Sequence, residues 1–143
     1  MVHLTSHFLL LSVTLGVALG YSFWITSIPN ALSVKNPCNG NAWPGVGHQA
    51  EGGSGPRNSF GDDISKLALA NPNVPAGTIW TQEVCMKDSD GDGMTNGEEL
   101  GDPSCKWTKG ATPEGRVKGH PGICEPVNDP KCAGKNGWTI ADC

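Results

Sequence analysis

Apolar residues are spread unevenly along this chain. Phe8 to Leu19 is almost wholly apolar. That run is too short to cross a bilayer comfortably, which takes about 20 apolar residues. Ala18 and Gly20 place small residues before Tyr21, so residues 1–20 read as a cleavable secretory signal peptide, although its front carries His3 and His7 rather than Lys or Arg. A membrane anchor is the competing reading, and the length disfavours it. No second apolar run follows, so the mature chain is expected to be soluble, with no membrane insertion.

After Tyr21 the pattern is short and broken. Tyr21 to Val34 mixes apolar and polar positions, with Pro29-Asn30 as a turn. Cys38 to Arg57 is rich in Gly, Asn and Pro and reads as ordered loop, pinned by Trp43-Pro44 because a large aromatic anchors a loop at low entropic cost. Ser59 to Ala70 has helical character: Ser59 can cap, Asp62 and Asp63 suit the positive end of the macrodipole, and Ile64, Leu67 and Ala68 share a face. Asn71-Pro72 stops that helix. Thr81 can cap a short helix, Gln82 to Lys87. Beyond Cys105 few apolar positions recur, Trp107 and Trp138 serve as packing anchors, and Cys124 to Cys143 is a Gly/Asn/Asp/Pro tail held by its cysteines. The fold class expected is small and disulfide-rich, mostly irregular, with short helices and room for a small β-hairpin.

Composition sharpens this picture. With 20 Gly and 11 Pro among 143 residues, turns prevail over long helices or strands. All six cysteines (Cys38, Cys85, Cys105, Cys124, Cys132 and Cys143) follow the signal peptide, and an even count in a secreted chain predicts disulfides whose connectivity the count leaves open. A thiolate metal site is disfavoured, since there is no C-x-x-C. Each closed loop of about 20 residues contributes roughly 3 kcal/mol by restricting the unfolded chain. The net charge is only −4, yet six acids fall between Asp88 and Asp102 with no Lys or Arg among them. The acidity is therefore one local patch. No basic stripe suggests nucleic acid, and no N-x-S/T sequon predicts a glycan.

That patch carries the strongest motif. Asp88-Ser-Asp90-Gly-Asp92-Gly93-Met94-Thr95-Asn96-Gly97-Glu98-Glu99 matches an EF-hand calcium loop, in which acidic or amide side chains occupy positions 1, 3 and 5. A Gly at 6 turns the chain, a carbonyl at 7 coordinates, and a bidentate Glu closes the shell at 12. Asp88, Asp90 and Asp92 fill the first three roles, Met94 offers its carbonyl, Asn96 stands at position 9, and Glu99 closes. Calcium, a hard and large cation taking six to eight oxygens, fits better than magnesium, which wants a tighter octahedron. A solvated acidic turn is the bland alternative. With one loop and a short preceding helix, this is not a paired EF-hand sensor; it resembles the single loops of dockerin or thrombospondin type 3 modules. Cys85 and Cys105 flank the loop and are expected to pair, clamping both ends. Extracellular sites of this kind bind at about 10⁻⁴ to 10⁻³ M, so calcium is expected to be structural.

Trp80-Thr81-x-x-x-Cys85, then DSDGDGMTNGEELGDPSCKW from Asp88 to Trp107, resembles the signature of temptin-like proteins. NPCNGNAWPGVGHQAEGGSGPRNSFGDDI, from Asn36 to Ile64, and Ile28-Pro29-Asn30 extend the resemblance over about Tyr21 to Cys124. Temptins are mollusc secreted proteins of the water-borne pheromone group, acting with attractin and enticin to promote attraction and mating. They form a disulfide domain that has been compared with EGF-like modules. The resemblance implies three parts: signal peptide 1–20, temptin-like domain 21–127 with its calcium loop 88–99, and a cysteine-containing extension 128–143. It implies pairing of Cys85 with Cys105 and of Cys38 with Cys124. Cys132 and Cys143 lie beyond the family pattern and are expected to pair with each other.

Other sites are weaker. His48 and His120 could join a copper or zinc site, but they lack local ligand spacing, and each reads more simply as bonding a loop backbone. No Ser-His-Asp set, nucleophile elbow or HExxH is readable. Glu98 and Glu99 are adjacent and diverge, so they make no hydrolytic pair. The five tryptophans read as packing residues before they read as a sugar or protein surface. The expected function is a secreted, extracellular, non-enzymatic protein, monomeric, binding attractin-like or enticin-like peptides or other extracellular proteins through pre-organised loops. The alternatives are an extracellular-matrix or shell-matrix protein and, further off, a secreted enzyme whose metal His48 and His120 would hold.

Overall fold

The computed structural model describes residues 24–136. The signal peptide expected at 1–20, Trp138 and Cys143 lie outside the described residues.

Among the described residues three short α-helices carry most of the regular structure: α1 (Ser59–Ile64), α2 (Gln82–Met86) and α3 (Asn96–Glu99). α1 runs on into a π turn over Ser65–Leu69, closed by Ala70 N–H donating to Ser65 O at 3.0 Å, so the helical span expected from Ser59 to Ala70 is present with a loosened second half. Its cap is Asn58 rather than Ser59. The Asn58 amide oxygen accepts from Gly61 N–H at 3.0 Å while its Nδ2 donates to Val46 O at 2.9 Å and His48 O at 3.1 Å. An amide can cap a helix and tie down the preceding loop at once; a hydroxyl has too few groups for that. Thr81 caps α2 as expected, accepting from Val84 N–H at 3.1 Å.

The core is one cluster spanning both halves of the chain, with Val34, Phe60, Val84 and Leu100 fully buried and Ile79 and Ile123 nearly so. Trp43 anchors the Gly-rich loop as expected: its ring is buried and its Nε1 donates to Gly45 O and His48 O, each at 3.2 Å. Among the described residues the expected hairpin is reduced to isolated bridges, Lys35 with Ala42 and His48 with Arg57. At the Pro29-Asn30 turn, Asn30 takes a left-handed conformation (φ 52°) and sends Nδ2 to Leu100 O at 2.8 Å and Gly115 O at 2.9 Å. Those bonds tie the start of the described chain to the segment after the acidic loop.

Cys85 and Cys105 are joined, with 5.7 Å between their Cα atoms, as the flanking positions predict. The other pairing differs from expectation. Cys124 is bonded to Cys132 rather than to Cys38, so Cys132 is not paired with Cys143. Cys38 is disulfide-bonded as well. The cause is local. Asp129 caps a single 3₁₀ turn over Pro130–Cys132, and the Asn136 side chain accepts from Cys124 N–H at 2.7 Å and donates to Cys124 O at 3.2 Å. Segment 124–136 thus folds back on itself and delivers Cys132 to Cys124.

Candidate metal centre

The frame of the acidic loop is set before any carboxylate is placed. α2 ends at Met86, and Asn96, at the start of α3, is tied to that end: its N–H donates to Lys87 O at 2.7 Å and its Nδ2 to Val84 O at 2.7 Å. Thr95 and Glu98 form a capping box, with Glu98 Oε2 accepting from Thr95 N–H at 2.8 Å. Those bonds point Glu98 outward and, one residue on, turn Glu99 into the protein.

Within the frame, Asp88 Oδ1 accepts from Gly91 N–H at 2.7 Å, and Asp88 Oδ2 from Gly93 N–H at 3.0 Å. Asp90 Oδ1 accepts from Asp92 N–H at 3.0 Å, and Asp92 Oδ1 from Met94 N–H at 2.8 Å. Gly93 turns at φ 103°, where a side chain would be strained. The result brings one oxygen from each of Asp88, Asp90 and Asp92 within 4.8 Å of one another.

Glu99 decides what this cluster is suited to. Its side chain is 0 % exposed, and neither carboxylate oxygen has a hydrogen-bond partner. Asp90, 4 % exposed, leaves Oδ2 equally unpartnered. Buried polar atoms are nearly always satisfied, and an unpaired buried carboxylate costs several kcal/mol. Burial, then the charges of Asp90 and Asp92, pushes the Glu99 carboxyl up to about 10. Burial, then Asp92, pushes Asp90 up to about 7. The donor set is all hard oxygen, so if these residues hold a metal it would be calcium or magnesium rather than a soft metal.

The residues named from the sequence divide into two groups. Asp88, Asp90 and Asp92 come together, with Met94 at the end of their turn, while Glu99 is fully buried outside that trio and within reach of its charges. Asn96 serves the frame instead of facing the cluster: its Nδ2 also donates to Ser89 Oγ at 2.9 Å, and its Oδ1 lies 3.4 Å from Ser89 N. Asp102, the last acid of the patch, is elsewhere. Fully buried, it accepts from Trp80 Nε1 at 2.8 Å, Lys106 N–H at 2.9 Å and Trp107 N–H at 3.1 Å, beside the Cys85–Cys105 bridge.

Three neighbours carry no sequence spacing that points to them. Lys131 Nζ donates to Asp92 O at 2.8 Å and Lys135 Nζ donates to Gly91 O, bringing two positive charges to the loop rim. Glu125 adds a half-buried carboxyl, raised by burial, whose charge acts on both Asp90 and Glu99.

His48 and His120 each bond a loop backbone, and the buried His120 Nε2 has no hydrogen-bond partner. His48 Nδ1 lies 3.2 Å from Gly55 O. His120 is fully buried edge-on to Trp43, accepts from Gly122 N–H at 3.1 Å, and is held down to about 4 by burial, hence neutral. Away from the loop, a mostly apolar cavity of about 680 Å³ opens between Ile28, Val46, Ile64 and Ile79, with exposed Trp24 and Leu69 at its edge. No helix among the described residues is long and apolar enough to cross a membrane.

Residues 18–123 match the family described as Temptin C-terminal. Temptin of Aplysia californica is 43% identical to this chain over 120 residues, which make up 82% of this chain and 89% of that protein. No solved structure matches. A match across most of both lengths, with Cys38, Cys85, Cys105 and the acidic loop inside residues 18–123, leaves one conclusion: the chain belongs to the temptin family.

Proposed function

We propose that this chain is a secreted, calcium-stabilised component of a water-borne pheromone complex, acting in attraction and mating by binding other secreted peptides of the attractin and enticin kind. Likeness to Temptin over nearly the whole chain supports the pheromone role. Glu99, buried and unpartnered within reach of the charges of three aspartates, is the observation that supports the calcium part.

The two parts belong together. A chain with little regular structure relies on cross-links as well as its core and hydrogen bonds to hold its loops in place, and a bound ion is one more cross-link. Loops fixed in advance lose little entropy when a partner docks. At extracellular calcium near or above the affinity expected of such sites, about 10⁻⁴ to 10⁻³ M, the ion acts as a permanent fitting rather than a switch.

The test is a fluorescence titration of the full secreted chain, in calcium, against attractin-like and enticin-like peptides from the same secretion. Saturable binding at micromolar concentration or tighter, weakened by chelator, is expected. No binding in calcium removes the complex-forming role. Binding that chelator leaves unchanged removes the calcium part.

A further inference from the structure

Glu99 is fully buried with both oxygens unpartnered and feels the charges of the three aspartates, and a second acidic group approaches it from another part of the chain. Glu125 lies in the segment closed by Cys124–Cys132, and its Oε2 accepts from His120 N–H at 3.2 Å, which aims the carboxyl. A Cβ built on Gly119 would stand 2.8 Å from Glu99 Oε1 and 3.0 Å from Glu125 Oε2. The two carboxylates therefore converge over one glycine, in a space that any side chain there would occupy.

Neither nearby ammonium neutralises them, because Lys131 and Lys135 donate to the loop backbone at Asp92 O and Gly91 O. Both oxygens of Glu99 stay buried without a partner. Like charges held this close are tolerated where a cation sits between them.

Building on the calcium reading above, we propose that Glu125 supplies a further ligand to the same ion. The site is then made from two segments, and the ion ties the acidic loop to the C-terminal disulfide loop. The lysine charges at the rim offset part of the surplus negative charge that a fifth carboxylate brings.

The experiment compares the full secreted chain with E125Q, by calcium calorimetry and by terbium luminescence lifetimes in H₂O and D₂O, which count the waters on the bound ion. E125Q is expected to weaken calcium about ten-fold, and to add one water to bound terbium. E83Q, at the exposed start of α2, changes neither. An E125Q affinity within about two-fold of wild type, with an unchanged water count, overturns the Glu125 assignment and leaves the loop reading standing. A wild-type chain that binds no calcium overturns both. Should E125Q fail to fold, G119A adds a methyl between the two carboxylates and is expected to weaken calcium likewise; unchanged affinity there overturns the assignment.

Discussion

The region around Phe60 and the region around Glu99 both lie at the centre of this molecule and are held by opposite means. Around Phe60, apolar side chains from Val34, Trp43, Ile64 and Ile79 pack together, and the buried amide of Asn58 has partners on both its oxygen and its nitrogen. Around Glu99, carboxylates are buried with oxygens left unpaired. The first region is held by apolar packing, with His120 Nε2 beside Trp43 left unpartnered, whereas in the second the proposed ion would supply the missing partner. On that proposal, a small Gly-rich protein carries one self-sufficient apolar core and, beside it, a carboxylate group that depends on its surroundings.

The largest effect should come from the self-sufficient side. F60A empties a fully buried position and should cost about 3–5 kcal/mol, read as the same fall in melting temperature in calcium and in chelator. A loss that depends on calcium would break the separation between the two regions.

E99Q should behave in the opposite way. In calcium, at about a hundred-fold excess over Kd, it should forfeit up to about 2.7 kcal/mol. In chelator it should melt higher than wild type, because a neutral amide replaces a carboxyl that burial penalises. A variant less stable in both conditions contradicts the account.

Acidity sharpens the same point. In the ion-free protein, Glu99 and Asp90 hold their protons to about 10 and about 7, so calcium must displace them. Calcium affinity should therefore fall by about ten-fold or more between about pH 8 and about pH 6. Without the ion the sign reverses. These two carboxyls favour the fold most below their ordinary value and progressively less as pH rises through about 7 and about 10. Calorimetry in buffers of different ionisation heat would reveal the released protons.

Smaller effects test the connections. D102A strands Trp80 Nε1 and the N–H groups of Lys106 and Trp107, for about 2 kcal/mol. N58A removes the α1 cap, for about 1 kcal/mol. Chemical denaturation in calcium reads both. A D102A loss no larger than that of N58A would show that the bridge region is less rigid than its hydrogen bonds imply.

What the sequence made legible was local. The cap at Thr81, the helical span from Ser59 to Ala70, the role of Trp43 and the convergence of Asp88, Asp90 and Asp92 depend on residues close together in the chain, where spacing dictates geometry. Hidden were pairings that depend on how distant segments meet. Glu125 has no fixed offset from the loop, so nothing marked it. Cys124 was matched by resemblance to Cys38, while the turn at Pro130 that brings Cys132 round depends on Asp129 and Asn136 together. Asn58 outcompeted Ser59 as a cap because the loop at Val46 and His48 needed its amide, a demand visible only in three dimensions. Asn96 stood at a ligand position by count, but its side chain bonds Val84 and Ser89.

Hydrogen exchange of the full chain in calcium and in chelator tests the central claim most directly. The account predicts that chelator strips protection from amides between Cys85 and Lys135 while those of α1 and its neighbours around Trp43 exchange as before. Exchange that is unchanged everywhere, or faster by the same factor in both regions, would contradict it.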